Sequence, residues 1–103
     1  MNYIPPKQAQ ENARKVLRWK QMYPNEVKAM TRVGWARAHQ LAKGVPLSLD
    51  IVKRMAQFAR HEKNKTINPQ YRSRPWRDNG YVAWLGWGGD SGINWAKSIV
   101  RKL

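Results

Sequence analysis

The sequence predicts an all-α fold of about five helices, and three observations carry that expectation. Apolar residues recur at helical spacing in successive stretches, Pro and Gly fall between those stretches, and no strand-like alternation of convincing length occurs. The central stretch, residues 31–62, reads as two amphipathic helices joined by a tight turn. That pattern predicts a helix-turn-helix-like pair or compact αα-corner, with the plainer αα-hairpin favoured by spacing alone, around which the rest of the chain is organised.

Taken in order, residues 1–6 carry Pro5 and Pro6 and are expected to form an extended arm, because a helix cannot begin before the second proline. Residues 7–103 are expected to form one helical domain. From Lys7 to about Tyr23, Ala9, Ala13, Val16, Leu17 and Lys20 fall on one side of a helix with Trp19 and Tyr23 beside them, and Pro24 ends it. A short turn over 25–30 leads to the central pair. Thr31 caps its first helix, whose apolar face is predicted to hold Val33, Ala36, Ala38, Leu41 and Ala42. Gly44 and Pro46 stop that helix near Lys43, since glycine accepts the left-handed closing residue and proline cannot continue the hydrogen-bond ladder.

Ser48 caps the second helix and Asp50 adds a favourable negative charge in its first turn. Ile51, Val52, Met55, Phe58 and Ala59 supply its buried stripe, with Lys53, Arg54, Gln57, Arg60 and His61 facing outward. Residues 63–79 form a long polar, proline-punctuated basic loop. A C-terminal helical hairpin follows. Its first arm is a short helix over Tyr81–Trp87, with Val82 and Leu85 inward and Trp84 beside Trp87. Gly88 and Gly89 break it, and Asp90 or Ser91 starts a last helix striped by Ile93, Ala96, Ile99, Val100 and Leu103.

Composition narrows the function more than any motif does. The 103 residues include 20 Lys and Arg against 6 Asp and Glu, a formal charge of +14 that draws the chain to polyanions. A hydrophobic content of 42% with six Trp argues for a folded core. No apolar run is long enough to span a bilayer and the N-terminus lacks a secretory pattern, so no membrane partner is expected and a soluble, unprocessed intracellular product is. The absence of Cys removes disulfides, thiolate zinc sites and cysteine nucleophiles.

No enzyme is expected. His61–Glu62 is not the two-histidine helical pattern of a zinc hydrolase, and His39 lies on another helix. Gly88, Gly89 and Gly92 lack the Lys-Ser or Lys-Thr of a phosphate-binding loop, and Asp90 after two glycines reads as a helix cap. Catalytic residues, metal ligands and cofactors are accordingly assigned to none. For nucleic acid, Lys53, Arg54, Gln57 and Arg60 on the second central helix are expected to face a duplex. Arg37 and Lys43 would touch backbone nearby, and Arg72, Arg74, Trp76 and Arg77 would extend the contact from the basic loop. Of the six Trp, the spacing assigns Trp35, Trp84 and Trp95 to the core.

Three runs of residues also resemble a known small domain. Val33, Gly34, Ala36, Arg37, Ala38, Gln40, Leu41, Ala42 and Gly44 give VGxARAxQLAxG. Leu47, Ser48, Val52, Lys53, Arg54, Met55 and Phe58 through Glu62 give LSxxxVKRMxxFARHE. Gly80, Tyr81, Ala83, Trp84, Trp87 to Asp90, Gly92, Trp95 and Ala96 give GYxAWxxWGGDxGxxWA. In this order they resemble a domain met in tailed-phage genomes, alone or attached to head-morphogenesis, portal and prohead-protease-like proteins. A second aromatic often precedes the Phe58 position of that domain, where this chain has Gln57, and the additional Arg and Trp of the loop are its own. The resemblance implies a phage or prophage source and a connection with heads or DNA, and it brings no catalytic residues.

The expectation is therefore a basic, phage-derived protein of the host cytoplasm or virion interior that binds nucleic acid, DNA before RNA, mainly through phosphates. Two alternatives belong to other classes. One is a head-assembly protein whose Trp-rich surface binds another phage protein; the other is an inhibitor of a host nucleic-acid enzyme. Oligomeric state is left open by the sequence.

Overall fold

The computed structural model describes residues 2–103. It is all-α, with five α-helices among those residues: α1 (Lys7–Met22), α2 (Arg32–Lys43), α3 (Leu49–Gln57), α4 (Asn79–Gly86) and α5 (Gly89–Arg101). The arm, whose first residue lies outside the described part, adds a two-residue strand β1 (Asn2–Tyr3). It pairs antiparallel with β2 (Leu47–Ser48), Tyr3 opposite Leu47. Pro5 is buried, and its carbonyl accepts from Gln10 Nε2 at 2.9 Å, so the start of the chain is tied to α1.

The helix ends follow local chemistry. Thr31 Oγ1 accepts from the Gly34 amide and Ser48 Oγ from the Ile51 amide, while Gly44 closes α2 at φ 67°. These bonds satisfy backbone groups that the helices leave open. Asp78 caps α4 through the Tyr81 amide at 3.1 Å, and Gly88, at φ 114°, precedes α5. Asp90 does not start α5. It sits in the first turn, and its Oδ1 accepts from Trp84 Nε1 at 2.8 Å, an outlet for an indole N–H that is otherwise buried.

The core has two halves that share α1. In one, Ala13, Ala38, Leu41, Leu47, Val52, Met55 and Ala96 meet; in the other, Val16, Val27, Ala29, Val82 and Leu85 are ringed by Trp19, Tyr23, Met30, Trp35, Trp76 and Tyr81. α1 packs chiefly on α2, and α3 chiefly on α5. The two central helices are thus neighbours in sequence that take different principal partners, and the expected helix-turn-helix-like pair is not the organising unit. Small residues also bring α1 against α5. Ala9 and Ala13 on α1 and Gly92 and Ala96 on α5 are all buried and let the backbones approach closely.

The buried face of α2 is rotated from the one expected. Gly34, Arg37, Ala38 and Leu41 point inward, while Val33 is 47% exposed and Ala36 is exposed. Gly34 sets the rotation, because a side chain there would meet Met30 at about 3.1 Å. α3 ends earlier than expected: residues 58–62, read from the sequence as its continuation, belong instead to a 3₁₀ helix over 58–65 that is kinked at His61. Nor is the basic loop without structure, since 69–71 and 75–77 form short 3₁₀ turns that each begin on a proline. Lys20, expected on the apolar side of α1, is half-buried there because its ammonium donates to the carbonyls of Val27 and Pro24.

Candidate nucleic-acid interface

Every Asp and Glu side chain is engaged within the fold. Glu11 pairs with Arg14, Glu26 with Arg77, Asp50 with Arg54 and Glu62 with Lys65. Asp78 accepts from the Tyr81 and Asn68 amides and Asp90 from the Trp84 indole. Of the 20 Lys and Arg, four have a carboxylate within 4 Å, which leaves sixteen among the described residues without one. Most of the positive charge is therefore available to an external anion.

The chain was compared with protein-family models, with curated proteins and with solved structures, and no match was found to any of them. Arg54, Gln57 and Arg60, three of the expected contact residues, line one cleft of about 380 Å³. The end of α3 and the 3₁₀ turn after it carry these side chains with Phe58 and His61. Met30 and Thr31 at the entry to α2, and Ala83 and Trp87 of α4 and its cap, form the opposite walls. Phe58 and Trp87 stack with centroids 4.8 Å apart and planes 11° from parallel, and His61 tilts against Phe58 at 4.7 Å. Arg54 Nε donates to Asp50 Oδ2 at 3.2 Å, and Arg60 Nη1 donates to the Gln57 carbonyl at 3.0 Å. Each contact fixes a guanidinium by one nitrogen and leaves the others free.

Arg37 is not the surface contact it was expected to be. It is 7% exposed, lies 5.4 Å from the Trp87 ring and donates through Nη1 to Gln40 Oε1, while its Nε is buried with no acceptor. The rotation of α2 set by Gly34 carries it inward. Burial lowers its pKa, the Arg54 charge lowers it further, and Asp50 acts the other way. Arg37 thus places a cation behind the aromatic wall of the cleft, with the Trp87 π-system in place of a carboxylate.

Trp76 and Arg77 are likewise committed inside the fold. Trp76 stacks on Tyr23 with centroids 3.9 Å apart and planes 3° from parallel, and both Trp76 Nε1 and Arg77 Nε donate to Glu26 Oε1, at 3.0 and 2.7 Å. These bonds, the Trp76 one foremost, hold the Glu26 carboxyl below its usual range. The function of this node is to pin the basic segment to the turn after α1. A depressed acid stabilises the fold fully above its unfolded pKa, and the contribution disappears as pH falls through the folded value. The segment is therefore expected to loosen as the pH falls below the ordinary glutamate range. Protection of the backbone amides of 68–78 against hydrogen exchange, taken relative to the intrinsic rate at each pH, should fall there, and Glu26→Gln should lower that protection already at pH 7.

The remaining expected contacts, Lys43, Lys53, Arg72 and Arg74, are exposed. The cations do not collect in one depression. A second, of about 310 Å³, holds Lys28 and Arg77 with Glu26 and Tyr71, and a third, of about 410 Å³, holds Lys20 with Trp35 and His39. Sequence reasoning missed Met30, Thr31, Phe58, His61 and Trp87 as one wall system, because they come from three separate stretches. Only the stripe period at Phe58 and the paired Trp84 and Trp87 hinted at it. Among the described residues no three His, Asp or Glu come together as a metal site would need, and no helix is long and apolar enough to cross a membrane.

Proposed function

We propose that this is a non-enzymatic nucleic-acid-binding protein that acts mainly through phosphates, with little sequence preference, and that DNA is its usual partner. The observation that carries the reading is the disposition of charge: all six acids are spent on internal partners, and most of the cations are not. Such a surface attracts a polyanion at long range and exchanges its counterions on contact. Exposed Lys43, Lys53, Arg72 and Arg74, with Arg54 and Arg60 at the cleft, supply the contacts. Resemblance to a tailed-phage domain supports a phage or prophage source, and with it action in the host cytoplasm or the virion interior.

The charge reading is preferred over a Trp-rich protein-binding surface because the six indoles are all buried or half-buried. Trp76 is stacked on Tyr23, Trp87 on Phe58, and Trp35 and Trp84 spend their N–H groups inside the fold. An electrophoretic mobility shift with a mixed-sequence duplex tests the proposal. Lys53→Ala combined with Arg54→Ala is expected to weaken binding about tenfold or more, the loss of two phosphate contacts, with the thermal transition little changed. Unaltered binding by the double variant would remove α3 from the interface.

A further inference from the structure

Resting on the nucleic-acid reading, we infer that the cleft walled by Phe58 and Trp87 receives one unpaired nucleotide of a strand. Its phosphate sits between Arg54 and Arg60, its base lies against the aromatic wall, and the Gln57 amide meets the base edge. Volume, charge and chemistry converge on that occupant. At about 380 Å³ the cleft falls within the range of small-molecule sites, whose lower end is about 300 Å³, and is far too narrow for a duplex. Two guanidinium groups and an imidazole line it, together with one side-chain amide, one hydroxyl and two stacked rings, and no carboxylate does.

Both guanidiniums are preoriented by a single bond each, so their free nitrogens face an incoming oxyanion at small entropic cost. Arg37 adds an independent observation. Its buried charge behind Trp87 has no carboxylate partner and an unmatched Nε, an arrangement that leaves the wall electropositive. Met30 at the rim holds a left-handed backbone, φ 66°, which a non-glycine residue adopts only at a cost, and such strain gathers at ligand sites. The other two depressions lack this combination. One contains the Glu26 carboxylate, and the only Lys or Arg lining the other, Lys20, is held by two backbone carbonyls.

A preference for frayed ends and single strands over closed duplex follows, since a base must leave its stack to enter. The test titrates dAMP, deoxyadenosine and inorganic phosphate into the full chain while the backbone amide resonances of Gln57, Phe58 and Ala83 are followed. In parallel, a single-stranded oligonucleotide and its duplex are compared by fluorescence anisotropy. Expected are saturable shifts at those amides with dAMP, affinities about tenfold weaker or worse for deoxyadenosine and for phosphate, and tighter binding of the single strand. Arg60→Gln is expected to abolish the dAMP response, whereas Lys53→Ala weakens the oligonucleotide and leaves dAMP unaffected.

Shifts with phosphate equal to those with dAMP would overturn the base-binding claim. So would a dAMP response scattered away from the cleft, or none at millimolar concentration. If the duplex still binds in those cases, the phosphate-based function stands and only the cleft assignment falls; loss of every nucleic-acid interaction would remove both.

Discussion

Trp87→Ala is expected to be among the most destabilising single substitutions in the chain, costing about 3 kcal/mol or more against a total stability of roughly 5–15 kcal/mol. The indole does two things at once. It packs its ring on Phe58, and it provides the π-face that accompanies the buried guanidinium of Arg37. Truncation opens a cavity and also strands a charge whose Nε already has no acceptor. The second part separates this expectation from an ordinary loss of packing. In an Arg37→Met background no charge remains to be stranded, so the same truncation is expected to cost about 1 kcal/mol less. Urea unfolding of the four species of that cycle measures the coupling. Additive costs would mean that Trp87 does not support the Arg37 charge.

Gly88→Ala is expected to have a comparable effect for a different reason. The residue has φ 114°, and a Cβ built on it would come 2.9 Å from the Cα of Gly92, a backbone atom of the next helix that cannot swing aside. Strain of about 1–3 kcal/mol from the dihedral adds to the displacement of α5, and the Asn12 side chain bonded to the Gly88 carbonyl at 2.9 Å would lose its register. A fall in Tm of roughly 10–20 °C is expected from a cost near 3 kcal/mol. Gly44 is the control. Its φ of 67° is also left-handed, but the atoms a Cβ would meet belong to the flexible end of Gln10, so Gly44→Ala is expected to cost only about 1 kcal/mol. Equal Tm shifts for the two would refute the backbone clash at Gly88.

What could be read from the sequence was whatever depends on neighbours a few residues away. Thr31, Ser48 and Gly44 do at the helix ends what their types and spacing imply, because a cap bonds to an amide or carbonyl within the same turn. The all-α class and five helices followed from the same period. The rotation of α2 was not legible, because Val33 and Gly34 are adjacent and either fits a helical stripe. Met30 settled the choice by occupying the space beside Gly34, a tertiary contact. Arg37 moved inward with it, against the strong prior that arginine is exposed.

The basic segment was misjudged in the same way. Trp76 and Arg77 looked free because their partner, Glu26, lies fifty residues earlier in the chain. The cleft itself was half visible. Arg54, Gln57 and Arg60 are close in sequence, at the end of α3 and the start of the 3₁₀ helix after it, but Met30, Thr31 and Trp87 arrive from elsewhere, and no local pattern marks them as opposing walls.

The salt dependence of duplex binding tests the central claim most directly, since an interface built on exposed cations, most of them without an internal carboxylate, must release counterions when it forms. Fluorescence anisotropy titrations between low and moderate salt are expected to give a plot of log affinity against log salt with a slope of about −5. That is the value for roughly six phosphate contacts, one for each of Lys43, Lys53, Arg54, Arg60, Arg72 and Arg74. Binding that persists with a slope near zero would contradict the account, because the association would then owe nothing to the charge on which it rests.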